Sequence, residues 1–195
     1  MKLEKMRKVL EKSLAPKRFK HSIAVYETAL ELADVHKVDA ETREKIAVSA
    51  LLHDCGREVP TKESVAKMEE LGLPLDYVEK NQPILLHSKL GVYYAKEKYG
   101  VTDADVLDGI SFHTTGKANM SVLAMIVFLA DMLEPARDFP GVEELRVLAR
   151  KDLEAAMIMA YSNTTKYLLE GGLLIHPNCI EGYNQLLLKK KASCN

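Results

Sequence analysis

The chain has 195 residues, 47% of them hydrophobic and 28% charged, with a formal net charge of −1. The length suits one domain of good size, and the near-neutral charge gives no electrostatic footprint for nucleic acid. With no tryptophan and only 4 phenylalanines, the core has to be built from Leu, Val, Ile, Ala and Met.

The first fourteen residues, "MKLEKMRKVLEKSL", mix charges with their apolar residues and contain no signal-peptide core. Helical periodicity begins at Lys17 and runs to His36, with an apolar stripe at Val25, Ala29, Leu32, Ala33 and His36. A second helix is expected from about Ala40 to Asp54, with Glu41 and Glu44 favouring its first turn and Gly56 stopping it. Glu63 to Leu71 reads as a short amphipathic segment closed by Gly72 and Pro74. Pro83 suits the first turn of a helix through Tyr99, and Asp103 or Asp105 can cap one that reaches His113. Ser121 can cap the most apolar helix, which Pro135 ends. Its longest apolar run, Val122 to Ala130, spans nine residues, and a bilayer needs about 20. Gly141 to Glu170 is one long helix or a broken pair, and Pro177 opens a last helix to about Lys190. No stretch alternates with strand period. The expectation is one all-α domain of roughly eight to ten helices over residues 1–188, followed by a disordered basic tail, 189–195, that begins with Lys189, Lys190 and Lys191. Cys55, Cys179 and Cys194 form no spacing motif and leave one thiol unpaired, which fits a reducing cytoplasm.

The polar residues break these stripes in a pattern. His21 lies four before Val25 and eight before Ala29, on the inward face. Ile46, Ala50, His53 and Asp54 share one face of their helix. His87 is three from Ile84 and from Leu90, and His113 follows Leu107 and Ile110 at steps of three. Asp131 follows Val127 by four. A buried carboxylate costs several kcal/mol unless it is paired or ligated, and four of the 6 histidines point inward beside two aspartates. One metal centre would neutralise the whole set. Imidazole with carboxylate suits iron, manganese, zinc or cobalt rather than calcium. His36, near a helix end with no partner nearby in sequence, is expected to be structural.

The order His21, His53-Asp54, Asp131 resembles the signature of the HD-domain superfamily of metal-dependent phosphohydrolases. The resemblance narrows to the YqeK family of symmetrical bis(5′-nucleosyl)-tetraphosphatases through "RFKHSIAV" (18–25), "ALLHDCGRE" (50–58), "ILLHSKLG" (84–91), "HTTGKANMS" (113–121), "FLADMLEPARDFPGV" (128–142) and "GLLIHPNCIEGYN" (172–184). It implies an all-helical HD fold, iron held by His21, His53, Asp54 and Asp131, and His87 and His113 turned to a second metal position or to phosphate. Other divalent ions such as manganese or cobalt, one or two per chain, remain compatible. The implied activity is cleavage of diadenosine tetraphosphate into two ADP, with His87, His113, Asp54 and Arg137 in catalysis. Nucleotide contacts implied in the same way are Arg18, Asp54, Cys55, Gly56, Arg57, His87, His113, Asp131, Met132 and Arg137, then Leu174, Ile175, His176, Pro177, Asn178 and Cys179. Two positions depart from the common pattern: Arg57 stands where many HD proteins have lysine, exchanging a point charge for a fork, and Cys55 replaces an apolar or aromatic residue.

Arg18, Arg57 and Arg137 are the natural polyphosphate clamps, since guanidinium meets phosphate bidentately, with Lys117 a looser candidate. The expected ligand is a dinucleoside polyphosphate or a nucleoside diphosphate, with no nucleic acid and no membrane, and a homodimer is compatible. Rival readings are an HD phosphohydrolase acting on a nucleoside monophosphate or an alarmone, and a sensor that binds ADP or GDP without turnover.

Overall fold

The structure, a computed structural model, describes residues 1–192. Among these the chain is helical with no strand. In chain order the helices are α1 (Leu3–Ser13), α2 (Pro16–Val35), α3 (Ala40–Leu52), α4 (Ser64–Glu70), α5 (Tyr77–Asn81), α6 (Leu86–Glu97), α7 (Ala104–Phe112), α8 (Val122–Leu133), α9 (Val142–Ala149), α10 (Leu153–Glu170) and α11 (Pro177–Ala192). Short 3-10 turns cover Cys55–Glu58, Thr61–Glu63 and Pro83–Leu85. The count of 11 α-helices is slightly above the expected range because two helices carry weak signals. In α1, charged residues surround a narrow stripe of Met6 and Leu10, both buried. α5 is only five residues long and rests on a capping box, in which Asp76 accepts from the Glu79 amide and Glu79 accepts from the Asp76 amide.

The caps account for most of the boundaries. Ser121 accepts from the Ala124 amide to start α8, and Asp103 accepts from the amides of Asp105 and Val106 to start α7. The stretch from Gly141 to Glu170 is a broken pair, because Asp152 caps a new helix by accepting from the Ala155 amide. α11 carries its basic residues to Ala192. Lys189, Lys190 and Lys191 are therefore the last turns of a helix, where they complement its dipole, and Lys189 pairs with Glu154. The rest of the expected tail, 193–195, lies outside the described residues, as does Cys194. Among the described helices none is long and apolar enough to cross a membrane.

Two hydrophobic clusters meet on α3. The larger joins α2, α8, α9, α10 and α11 around Ile126, Leu129 and Tyr161; the smaller joins α1, α6 and α7 around Leu10, Tyr99 and Ile110. α3 gives Ile46 and Ala50 to the first and Leu51 and Leu52 to the second. Each fully buried aliphatic side chain contributes about 1.5–3 kcal/mol. α8 is buried almost all round, from Leu123 to Ala130, so the first polar residue to follow, Asp131, is delivered to the middle of the bundle. His36 donates through Nε2 to the Ala149 carbonyl oxygen, 2.6 Å away, which agrees with a structural role.

α3 stops at Leu52, two residues earlier than the periodicity suggests, and the chain turns sharply through Cys55–Glu58. Gly56 makes this possible. A Cβ there would sit 2.1 Å from the His87 carbonyl oxygen and 2.5 Å from the Gly91 nitrogen. The turn thus presses backbone to backbone against α6, which sets His53 and Asp54 beside His87. Gly56→Ala should force the two segments apart and destabilise the fold by at least about 1–3 kcal/mol, the cost of overpacking a tight interior. A thermal melt measures it, and an unchanged midpoint would contradict the contact.

Candidate metal centre

Six side chains from five helices converge where α3 ends. His21 stands on α2, His53 and Asp54 follow α3, His87 is in the first turn of α6, His113 ends α7 and Asp131 is near the end of α8. Asp54 is 2% exposed and His53 fully buried, while the side chains of His21 and Asp131 keep 12% and 19%. The centre therefore opens to solvent on the His21–Asp131 side.

The orientation of the imidazoles is set behind them. His53 Nδ1 lies 2.7 Å from the Ala50 carbonyl oxygen, His87 Nδ1 2.5 Å from that of Ile84, and His113 Nδ1 2.7 Å from that of Ile110. A carbonyl only accepts, so each Nδ1 must carry the proton and donate it. Burial is the largest cause pushing His87 down to about 3 and His113 down to about 4. Both rings are neutral at pH 7, and each turns a bare Nε2 lone pair to the centre. Those two Nε2 atoms are 3.0 Å apart, and the Nε2 atoms of His21 and His53 are 3.4 Å apart.

Asp54 joins the two pairs. Its Oδ2 is 3.7 Å from His21 Nε2 and 3.6 Å from His53 Nε2, whereas its Oδ1 is 3.4 Å from His87 Nε2 and 3.8 Å from His113 Nε2. Asp131 Oδ1 completes the first pair at 3.0 Å from His21 and 4.0 Å from His53. Burial works to raise both carboxyls, but the surrounding imidazoles and an arginine beside each outweigh it and hold both below the usual carboxylate range. Within this set the donor atoms of His21–His53–Asp54, of His53–His113–Asp131 and of Asp54–His87–His113 each lie within 4.8 Å of one another. Neutral imidazole lone pairs facing each other around ionised, buried carboxylates are what a divalent transition ion requires. The residues fit the group.

Three guanidinium groups close the centre. Arg18 Nη1 donates to Asp54 Oδ2 at 2.8 Å, and Arg57 Nε donates to Asp54 Oδ1 at 2.8 Å. Arg137 holds Asp131 twice, through Nη2 to Oδ1 at 2.5 Å and through Nε to the backbone oxygen at 2.7 Å. A cleft of about 230 Å³, lined among others by Arg18, Arg57, His87, Val59, Pro60 and Ile84, leads away from this edge.

Other expected contacts lie elsewhere. Cys55 points away: its thiol donates to the Gly91 carbonyl oxygen at 3.3 Å, and burial pushes it far above the usual thiol range. Met132 packs against the larger core. Lys117 is taken up by Asp108 at 2.6 Å and lies 4.4 Å over the Phe112 ring. In the segment 174–179, Leu174 is exposed and the Cys179 side chain is buried beside Thr165. His176 Nε2 meets Asp76 Oδ2 at 2.8 Å, which ties the segment to the loop before α5. Asn178 donates its amide to His176 Nδ1 at 3.2 Å, and Pro177 begins α11. Ile175 packs on the larger core. None of these bonds reaches the His–Asp centre.

Sequence reasoning missed two participants. The Thr114 hydroxyl sits 3.2 Å from His87 Nε2 and 3.1 Å from His113 Nε2, with the Ser88 hydroxyl 2.8 Å behind it. Glu134, nearly buried, places Oε1 3.2 Å from His21 Nδ1. Its signal was an acid three residues beyond Asp131, at the position that caps the C-terminal end of α8.

Comparison with known proteins places this arrangement. Residues 18–136 match the HD domain family model, so the chain belongs to the HD-domain family. The symmetrical bis(5′-nucleosyl)-tetraphosphatase of Halalkalibacterium halodurans is 40% identical over 91% of this chain and 93% of its own. That of Bacillus subtilis is 33% identical over 91% and 94%. The crystal structure of a predicted HD superfamily hydrolase involved in NAD metabolism, from Clostridium acetobutylicum, superposes with a TM-score of 0.89 at 37% identity, covering 97% of this chain and 98% of that one.

An ion bound to the folded chain alone raises stability by about 2.7 kcal/mol at a hundred times its dissociation constant. Wild-type protein should therefore melt higher with manganese or ferrous ion, while Asp54→Ala stays helical by circular dichroism but loses the shift. A full metal-induced shift in Asp54→Ala would contradict the ligand set.

Proposed function

We propose that this chain is an iron-dependent hydrolase that splits diadenosine tetraphosphate at its centre into two ADP. The observation that carries the reading is Asp54, one buried carboxylate whose two oxygens serve two separate imidazole pairs. His21, His53, Asp54 and Asp131 would hold a first ion, and Asp54 with His87 and His113 a second. A bound ion lowers the pKa of water towards about 7 and polarises a phosphoryl oxygen. The similarity to two symmetrical tetraphosphatases over nine-tenths of the chain supports the substrate.

The chain's own residues supply the rest. His87 and His113 are neutral, with their Nδ1 protons already given to carbonyls, so their inward nitrogens accept. This favours ligation over donation to phosphate. Arg18 and Arg57, which saturate Asp54 here, are free to turn to the polyphosphate once those oxygens are engaged elsewhere. Arg137 stays on Asp131 and offers its remaining N–H groups at the exposed edge, where it would stabilise charge on the transferred phosphoryl group. The cleft beside Arg18 and Arg57 gives the polyphosphate a way in, and residues 174–179 would face a nucleoside. Residues 1–188 act as one unit in this reading, since the larger core joins residues from Val25 to Ala50 with residues from Leu123 to Leu186, and α3 links it to the smaller one. A reducing cytoplasm suits both a ferrous centre and the free thiols of Cys55 and Cys179.

The test is product analysis of metal-loaded protein incubated with diadenosine tetraphosphate. The proposal expects ADP alone and its loss on chelation; ATP with AMP, or no turnover, would reject it.

A further inference from the structure

Four imidazoles face the centre, and three are oriented by a carbonyl of their own helix turn, Ala50 for His53, Ile84 for His87 and Ile110 for His113. His21 differs. It lies mid-helix on α2, where each carbonyl nearby is committed to the helix ladder, and its Nδ1 instead meets a carboxylate from across the bundle, Glu134 Oε1 at 3.2 Å. Glu134 is 4% exposed, so keeping it there is costly without a purpose.

Its other contacts fix it in place. Oε2 accepts the Ala136 amide at 2.7 Å, and Arg137 Nε lies 3.8 Å from Oε1. Arg146, on α9, donates to three carbonyls of the same turn, those of Leu133, Glu134 and Arg137, each at 3.0 Å. The end of α8 is thereby stapled, and with it the reach of Glu134 to His21. On the far side of the ring, Nε2 faces Asp131 Oδ1 at 3.0 Å.

We infer that Glu134 is a positioning residue for the metal ligand His21: it accepts the Nδ1 proton, holds the ring in the Nδ1–H tautomer and leaves Nε2 as the ligand atom. His21 stands at the solvent-open side of the centre, where an ion would arrive. The inference rests on the metal-hydrolase reading.

Glu134→Gln separates this role from a plain structural one. Its single side-chain oxygen can satisfy the Ala136 amide or His21 Nδ1–H, not both. Once the oxygen takes the turn, the amide N–H₂ faces Nδ1 and drives His21 to the Nε2–H tautomer, which cannot ligate. With zinc as probe, competition against a chelator should show Glu134→Gln weaker than wild type by roughly 10–100-fold, with its melting point in the absence of metal nearly unchanged. Wild-type affinity in a folded Glu134→Gln would overturn the inference. A second measurement needs no variant: ¹⁵N spectra of the zinc-loaded wild type should show His21 protonated on Nδ1 and ligated through Nε2, and the opposite assignment would overturn it. Failure of the wild-type chain to take up zinc, iron or manganese is a different result, which removes the hydrolase reading itself.

Discussion

Everything in the centre depends on the hydrogen bonds made behind the imidazoles. Three histidines give their Nδ1 protons to carbonyl oxygens three residues earlier in the chain, and this turns their Nε2 atoms the same way. A lone inward histidine can satisfy itself with a nearby donor. Four sharing one volume with two ionised carboxylates cannot, because lone pairs and negative charge accumulate faster than donors. Arg18, Arg57 and Arg137 offset part of that charge, each bonded to one of the two aspartates. Two facing pairs of imidazole nitrogens are left, and a divalent ion satisfies them.

The fold exists around that requirement. α3 belongs to two hydrophobic clusters at once, and the two residues that follow it emerge at their seam. Gly56 then lets the chain turn against the backbone of α6, which brings His87 to the side of Asp54 away from His21. A residue with a side chain at that turn would separate the two halves of the centre. Positioning thus depends on a missing atom as much as on the ligands themselves.

Much of this was legible in the sequence, for physical reasons. The stripes carrying His21, His53, His87 and His113 are regular over several turns, so their inward direction follows from helical spacing. Asp131 follows Val127 by four on the most apolar helix, so its direction follows from the same spacing. α1 and α5 were harder, one because charge surrounds a two-residue stripe, the other because five residues held by a capping box have no periodicity. Glu134 escaped because its role is a contact between α2 and the end of α8, 113 residues apart. Cys55 adjoins the centre's residues in sequence and Cys179 ends the segment 174–179, yet both thiols are turned into the core. Adjacency along a chain does not fix a side chain's direction once the helix has ended, as it has at Leu52.

The most direct measurement is a crystal structure of the manganese-loaded protein with anomalous scattering recorded at the manganese edge. The account predicts an ion ligated by Nε2 of His21, Nε2 of His53, Asp131 and the Oδ2 side of Asp54, with any second ion on the Oδ1 side against His87 and His113. Anomalous density away from Asp54, or ligation through a histidine Nδ1, would contradict it.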